Sequence, residues 1–309
     1  MEDFNNTLIK EFVLLSFSSF HQYKILIFIF VLLTYMICVT GNSAIILLVQ
    51  KEPSLHTPMY LYICVFSALE IMFVSTTIPK LLVSLVSNSK MISFRSCFTQ
   101  LYVFNSLGVT ECYLLTVMVF DRHLAITYPL HYSAIMNMKL CTKLAIFPWV
   151  VGFTIVIAPT IITAYLKICG SNEINHFFCD FAQLQSMACF IPFFVIVMTS
   201  SIAFIDIVVP FLIILGLYIN IINTVLKIKN NEGRSKAFTT CSSHLIVASF
   251  FYGTATIVYV KPLGNQYDKF LALMYTAITP LINPFIYTFR NRDVKQAFKK
   301  YVRWLLKKL

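Results

Sequence analysis

Three acids fall well inside long apolar stretches of this chain, namely Glu70, Glu111 and Asp206, and an acid–base pair, Asp121-Arg122, lies at the end of the stretch that holds Glu111. Ionisable groups within a membrane are expensive to bury, so they are read first as functional. Two carboxylates brought together share a cation or a single proton. A carboxylate beside a guanidinium forms an ion pair that a conformational change can open. A lone acid such as Asp206 either pairs with a protonated amine or, protonated itself, hydrogen-bonds Asn105 or a nearby hydroxyl. None of this reads as catalytic. There is no HExxH, no nucleophile with an adjacent base, and the histidines lie in loops or at span ends.

The elements that must position these groups are set by composition. Of 309 residues, 58% are hydrophobic and 12% charged, with a mean hydropathy of +0.78. A water-facing surface usually needs about 25% charged residues, so lipid must cover much of this chain. Disorder is excluded by the same hydrophobicity. Apolar runs long enough to span a bilayer are expected at 24–50, 57–86, 95–127, 140–164, 194–228, 236–261 and 268–288. The expected fold is an all-α membrane protein, a seven-transmembrane helix bundle. It reads as one domain over 1–309, with a tail at 1–23, the bundle at 24–288 and an amphipathic tail at 289–309. In that last segment Phe298, Val302, Leu305 and Leu306 share one face among lysines and arginines, the pattern of a helix lying in the membrane interface.

Charge placement orients the spans. With the N-terminus outside, sixteen of the 24 Lys and Arg residues fall on the cytoplasmic side, as the positive-inside rule requires. The net charge of +11 is then a consequence of topology and of attraction to the inner leaflet, and no nucleic-acid partner is needed. The N-terminus lacks the basic-then-apolar build of a cleaved signal peptide. Asn5-Asn6-Thr7 is a glycosylation sequon, with Asn5 as acceptor. Cys97, Cys169, Cys179 and Cys189 all fall outside, where four thiols read as two disulfides with three possible pairings. A zinc site from these thiols and His176 is the rival reading. A channel or transporter would also bury acids, but often shows internal repeats, and none is found.

Five elements in order resemble the rhodopsin-like G-protein-coupled receptors, and among them the vertebrate odorant receptors. They are Gly41-Asn42, Leu55-His-Thr-Pro-Met-Tyr60, Val117-Met-Val-Phe-Asp-Arg-His-Leu-Ala-Ile126 with Tyr128-Pro-Leu-His-Tyr132, Lys236-Ala-Phe-Thr-Thr-Cys-Ser-Ser-His-Leu245, and Pro280-Leu-Ile-Asn-Pro-Phe-Ile-Tyr287 with Arg290-Asn291. The loop segment His176-Phe-Phe-Cys-Asp180 is similar too. Departures are His123 for the usual Tyr, Thr127 for Cys, Thr239 for Ser, Leu217 for Ser and Glu70 for Asp.

The resemblance implies a receptor, not an enzyme, with a short cytoplasmic amphipathic helix 8. It implies small, mostly hydrophobic odorants as ligands and a stimulatory, olfactory-type G protein that raises cAMP. It pairs Cys97 with Cys179 and Cys169 with Cys189. It places Glu70 and Glu111 together beside Asn42 and Asn283, where sodium is the expected ion. Asp121 would hold Arg122 at rest; on activation Arg122 would reach the G protein, Tyr218 and Tyr287, with Pro284 in the same signature and Lys236 bordering the cleft. On the third span Phe104, Asn105, Gly108, Val109 and Cys112 share the helical face expected to touch ligand. Matching family positions add Ala203 and Asp206 on the fifth span, then Phe251, Tyr252, Ala255, Thr256 and Tyr259 on the sixth. Leu273 and Thr276 complete the set on the seventh.

Overall fold

A computed structural model describes residues 10–87, 89–169, 171–227, 230, 234, 242, 245–254, 268–282, 286 and 292–306. Five of its helices are long and apolar enough to cross a membrane: α1 (Lys24–Lys51), α2 (Pro58–Val86), α3 (Phe94–Thr127), α4 (Met138–Ala164, broken at Val156) and α5 (Phe193–Leu226). The described parts of the next two are shorter, α6 (Leu245–Thr254) and α7 (Asp268–Leu273, through a π-turn at Met274–Ile278 to Ile282). Arg292–Leu306 forms the amphipathic α8. Asn283, Pro284, Tyr287, Lys236, Ala255, Thr256, Tyr259 and Asn5 lie outside the described residues.

The bundle is arranged around α3, which packs on α2, α4 and α5, while α1 packs on α2. Only 22% of the most apolar stretch of α1 and of α5 is buried, against 61% of that of α3. The outward faces of α1 and α5 carry Ile25, Leu26, Leu33, Phe204 and Leu212. Such a surface is stable only against hydrocarbon. The close approach of α4 to α3 depends on Gly152, where a Cβ would stand 2.4 Å from Thr110 Oγ1 and 2.5 Å from the Ser106 carbonyl oxygen.

Helix α8 docks where the turn between α1 and α2 receives it. Lys300 Nζ lies 2.9 Å from Glu52 Oε2, and that ammonium holds the Glu52 carboxyl below the ordinary carboxylate range. Lys51 donates to the Tyr301 hydroxyl at 3.3 Å. Of the expected apolar face only the Phe298 side chain is described, since those of Val302, Leu305 and Leu306 lie outside the described residues. Val294 and Ala297 are buried against the bundle, and Phe298 is 44% exposed, as an apolar side chain that faces lipid is.

At the opposite end the chain builds a cap. The tail from Lys10 onward is ordered: Glu11–Leu14 forms β1, with Phe12 and Leu14 alternating inward as a half-buried strand requires. It pairs antiparallel with β2 (Met91–Ser93) and parallel with β3 (Glu173–Ile174). Phe12, Leu14, Ile92, Leu101, Ile174 and Leu184 form a small second core around the Cys97–Cys179 disulfide. Cys169 is bonded to Cys189, so both pairings that the resemblance implied are formed. The zinc alternative is thereby overturned, because the thiolates it needs are consumed as disulfides. Gln100 stitches the layers together, donating to the Thr76 carbonyl at 2.9 Å and accepting from Cys179 N at 3.0 Å.

A strap crosses the mouth beside this sheet. Ser16, with φ of 42°, reverses the chain there. Its carbonyl accepts from Lys269 of α7 at 2.6 Å, its N–H donates to the His176 carbonyl at 3.1 Å, and its hydroxyl shares a hydrogen bond with Ser84 at 3.1 Å. His176 is buried, stacked on Phe177 at 4.8 Å and edge-on to Phe178 at 4.4 Å. Burial, helped by the Lys269 charge, lowers its pKa to about 3.

Two outcomes follow from this packing. Gly152→Ala forces α3 and α4 apart at a cost of roughly 1–3 kcal/mol; thermal unfolding in lipid nanodiscs should show a lowered midpoint, and an unchanged one would contradict the close approach. Because folding depresses the His176 pKa, its stabilising contribution is complete above the unfolded value of about 6.5 and is lost as pH falls from there toward the folded value of about 3. Wild type should therefore lose more thermal stability between neutral pH and pH ~5 than His176→Phe, which keeps the stacking and cannot titrate. Equal losses would remove His176 as the cause.

Candidate functional site

Beneath the cap, α3, α4, α5, α6 and α7 enclose a cavity of about 280 Å³. Helix α3 contributes Phe104, Asn105, Gly108, Val109 and Cys112, the five residues that its 3.6-residue periodicity puts on one face. Ala203 and Asp206 come from α5 and Phe251 from α6. Tyr252, Leu273 and Thr276 do not line it, although all three are buried. Tyr252 is turned toward α3, where its hydroxyl donates to the Cys112 carbonyl at 3.2 Å.

Several lining residues were not among those expected. Val156 and Pro159 line it from the break in α4, and Tyr275 from α7. A Cβ on Gly108 would sit 3.3 Å from the Tyr275 hydroxyl, so glycine there lets that ring reach the cavity floor. The loop after the Cys179 bridge adds a one-and-a-half-turn helix, Phe181–Ser186, whose Phe181, Ala182 and Gln185 form the lid. Asp180 caps it, accepting from Ala182 N at 3.0 Å. Burial raises the Asp180 carboxyl's pKa, although backbone N–H groups of the capped helix oppose the shift. Asp180 ahead of Phe-Ala-Gln is an N-cap signal readable in the sequence, but nothing there shows which way the loop folds.

The polar groups of the wall are mostly directed onto their own helices. Asn105 Nδ2 donates to the Leu101 carbonyl at 2.8 Å, and the Thr199 hydroxyl to Val195 at 2.9 Å. Asp206 is 2% exposed. Its Oδ1 lies 3.5 Å from the Tyr113 hydroxyl, and its Oδ2 has no hydrogen-bond partner among the described residues. The hydroxyl it meets is thus that of Tyr113, while Asn105 is engaged elsewhere.

Beside Cys112 in the sequence of α3, Glu111 is 1% exposed and Glu70 of α2 is fully buried, near enough for their charges to interact. Neither oxygen of Glu111 has a hydrogen-bond partner among the described residues. Asn42 lies buried in α1 with its amide donating to the Cys38 carbonyl at 3.0 Å. Uncommitted carboxylate oxygens form a hard-donor set, the kind that hard cations take.

At the far end of α3, Arg122 donates from Nε to Asp121 Oδ2 at 2.9 Å, and its Nη2 reaches the same oxygen. The other oxygen, Oδ1, accepts from the Tyr132 hydroxyl at 2.7 Å. Burial and the Asp121 carboxylate hold the Tyr132 phenol well above its ordinary pKa, so it stays a donor. Tyr132 was missed as a partner; it opens a single turn, Tyr132–Ile135, that the loop folds back under α3. Tyr218 is buried on α5. Two departures from the family pattern contact each other, His123 Nδ1 and Thr127 Oγ1 at 3.3 Å, one helical turn apart.

The family model described as "Olfactory receptor" matches residues 30–308. Human Olfactory receptor 6C75 is 42% identical over 305 residues, 98% of each chain. Human Olfactory receptor 11H6 is 44% identical over 295 residues, 94% of this chain and 89% of its own. Human Olfactory receptor 6C4 is 41% identical over 306 residues, 98% of this chain and 99% of its own. With the buried acids, the capped cavity and the multi-pass bundle, these matches settle the class: the chain belongs to the olfactory receptor family of G-protein-coupled receptors, and is a receptor rather than an enzyme.

Proposed function

We propose that small, mostly hydrophobic odorants bind in the cavity beneath the cap and that their binding is passed along α3 to a stimulatory, olfactory-type G protein, raising cAMP. The observation that carries this reading is that one helix bears both ends of the path. Cys112 lines the cavity and Asp121 begins the ion pair, nine residues and about 14 Å apart at 1.5 Å per residue. Coupling between two sites needs an element with two states that each site biases, and the Arg122–Asp121–Tyr132 cluster supplies one. At rest Asp121 holds Arg122 and Tyr132 together. In the active state Arg122 leaves the carboxylate and turns toward Tyr218, Tyr287 and the G protein, with Asn283, Pro284 and Lys236 around the opening.

The cap faces outward and α8 lies on the cytoplasmic side. Charge bias supports this orientation, as do two disulfides at the cap end, which form in an oxidising compartment. Asn5 would then be on the side where glycosylation occurs. Glu70 and Glu111, with Asn42 and Asn283, would hold a sodium ion or a shared proton in the resting bundle. A bound cation supplies positive charge there; the residues' own part is to place oxygen donors on α2 and α3, so that helix rotation disperses them.

The direct test is an odorant screen on cells with surface-labelled receptor and a cAMP reporter. Odorant-evoked cAMP, with no ligand-gated current in cells lacking the G protein, is the expected result; a current without the G protein would favour a channel. Arg122→Ala should abolish the evoked cAMP at unchanged surface level, and full signalling in that variant would sink the switch. Tyr132→Phe removes a hydrogen bond to a charged group, worth about 1.5–3 kcal/mol, and should raise agonist-independent cAMP. Replacing external and internal sodium with a larger cation should shift odorant potency in wild type and not in Glu111→Gln. Potency indifferent to sodium in both forms would refute the cation reading and leave the shared proton.

A further inference from the structure

The charge of the cavity wall is one-sided. Asp180 and Asp206 stand among the lining residues, and among the described residues no lysine, arginine or histidine does. Asp180 is committed to capping the lid helix. Asp206 is not committed. One of its oxygens meets only the Tyr113 hydroxyl, at the 3.5 Å limit of a hydrogen bond, and the other meets no donor among the described residues. Nor does any described cation pair with it; the ion pairs formed are Arg122–Asp121 and Lys300–Glu52. Of the polar side chains on the wall, Asp206 alone presents a buried oxygen left without a hydrogen bond among the described residues.

Such a group is costly in a bundle surrounded by hydrocarbon unless something compensates it. The same cavity offers what a cation needs besides a carboxylate. Phe104, Phe251 and Tyr275 line it, with Phe251 and Tyr275 ring centroids 5.8 Å apart and those of Phe104 and Tyr275 at 6.3 Å. Aromatic faces attract ammonium groups through their quadrupoles, and more strongly when water is excluded. The rest of the wall, from Gly108 and Val109 to Ala203 and Ile207, is suited to hydrocarbon.

We propose that Asp206 is an anchor for protonated amines, so that the receptor takes small aliphatic or arylalkyl amines in preference to neutral odorants of the same skeleton. The proposal rests on the reading of this cavity as the ligand site. An amine with a pKa like that of lysine, about 10.4, arrives as an ammonium. It donates to the open Oδ2, while its hydrocarbon part packs between α3, α5 and the lid. An alcohol or ketone of equal length fills the same space but leaves the carboxylate charge uncompensated. A charge-assisted bond exceeds a neutral one by enough to favour the amine by about ten- to a hundredfold.

The test uses the full-length receptor in lipid nanodiscs, its thermal unfolding followed against primary amines from butylamine to decylamine and against the matching alcohols and methyl ketones. Stabilisation by an amine at about ten- to a hundredfold lower concentration than its alcohol is expected. Asp206→Asn, nearly isosteric, should collapse that advantage, and Asp206→Glu should restore part of it. Should Asp206→Asn fail to fold, the wild-type comparison and Asp206→Glu still decide. The proposal is overturned if no amine stabilises wild type, if alcohols or ketones match the amines, or if the advantage survives Asp206→Asn. A superior ketone would mean instead that Asp206 is protonated and donates a hydrogen bond. Parallel cAMP measurements separate the two readings. Amine stabilisation without a cAMP change contradicts coupling and leaves the anchor standing, whereas cAMP raised equally by neutral odorants and amines contradicts the anchor and leaves the receptor standing.

Discussion

Hydrocarbon accepts no hydrogen bond and solvates no charge, so every polar group within the bundle must find its partner in the protein. Many hydroxyls and amides of the spans do so locally, although Ser67, Thr77, Ser106 and Thr276 keep a buried hydroxyl oxygen with no hydrogen bond among the described residues. Thr34 donates to the Phe30 carbonyl, Thr110 to Ser106, Thr116 to Cys112, Thr199 to Val195 and Thr254 to Phe250, each one helical turn back. Asn42 and Asn105 direct their amides the same way. A carboxylate has no donor to offer its own helix, so Glu111, Asp121 and Asp206 must be answered from elsewhere. Asp121 is answered fully, by Arg122 and Tyr132. Glu111 and Asp206 are answered less completely, each keeping at least one oxygen without a hydrogen bond among the described residues.

The cap obeys different physics, because water reaches it. A short sheet, a second apolar core and two disulfides hold the N-terminal strand, the loop before α5 and the start of α3 as one body. Lys269 carries that body onto α7 through the Ser16 carbonyl. The lid helix over the cavity is attached to the same loop immediately after Cys179. The lid is thereby joined to α3 through the Cys97–Cys179 bridge, and the cap that holds it is joined to α7 through Ser16. Two glycines set how tightly the helices close beneath: Gly152 admits α4 against α3, and Gly108 admits the Tyr275 ring.

Much of this was legible in the sequence, and for a physical reason. An apolar run of about 20 residues has only one way to satisfy its backbone in lipid, so hydropathy alone placed the first five spans close to their observed bounds. The runs expected at 24–50 and 57–86 are helical over Lys24–Lys51 and Pro58–Val86. Helical periodicity likewise put Phe104, Asn105, Gly108, Val109 and Cys112 on one face, and all five line the cavity. The four outer cysteines were separable from the rest by topology, though topology left three pairings open.

What the sequence by itself determined is therefore whatever depends on neighbours along the chain: the spans, their amphipathic faces, the charge bias, the family motifs and the burial of the acids. Tertiary structure decided what depends on residues distant in sequence. Residues 11–14 become a strand because segments near 91–93 and 173–174 lie ready to pair with them. Tyr132 completes the Asp121 cluster because a loop turns back under α3. Tyr252 faces Cys112, 140 positions earlier, instead of the cavity. Asp206 keeps an open oxygen because, among the described residues, only Tyr113 meets it and reaches only its other oxygen. None of these outcomes is encoded in a local pattern, since each is settled by which side chains the packed bundle brings within about 3 Å of one another.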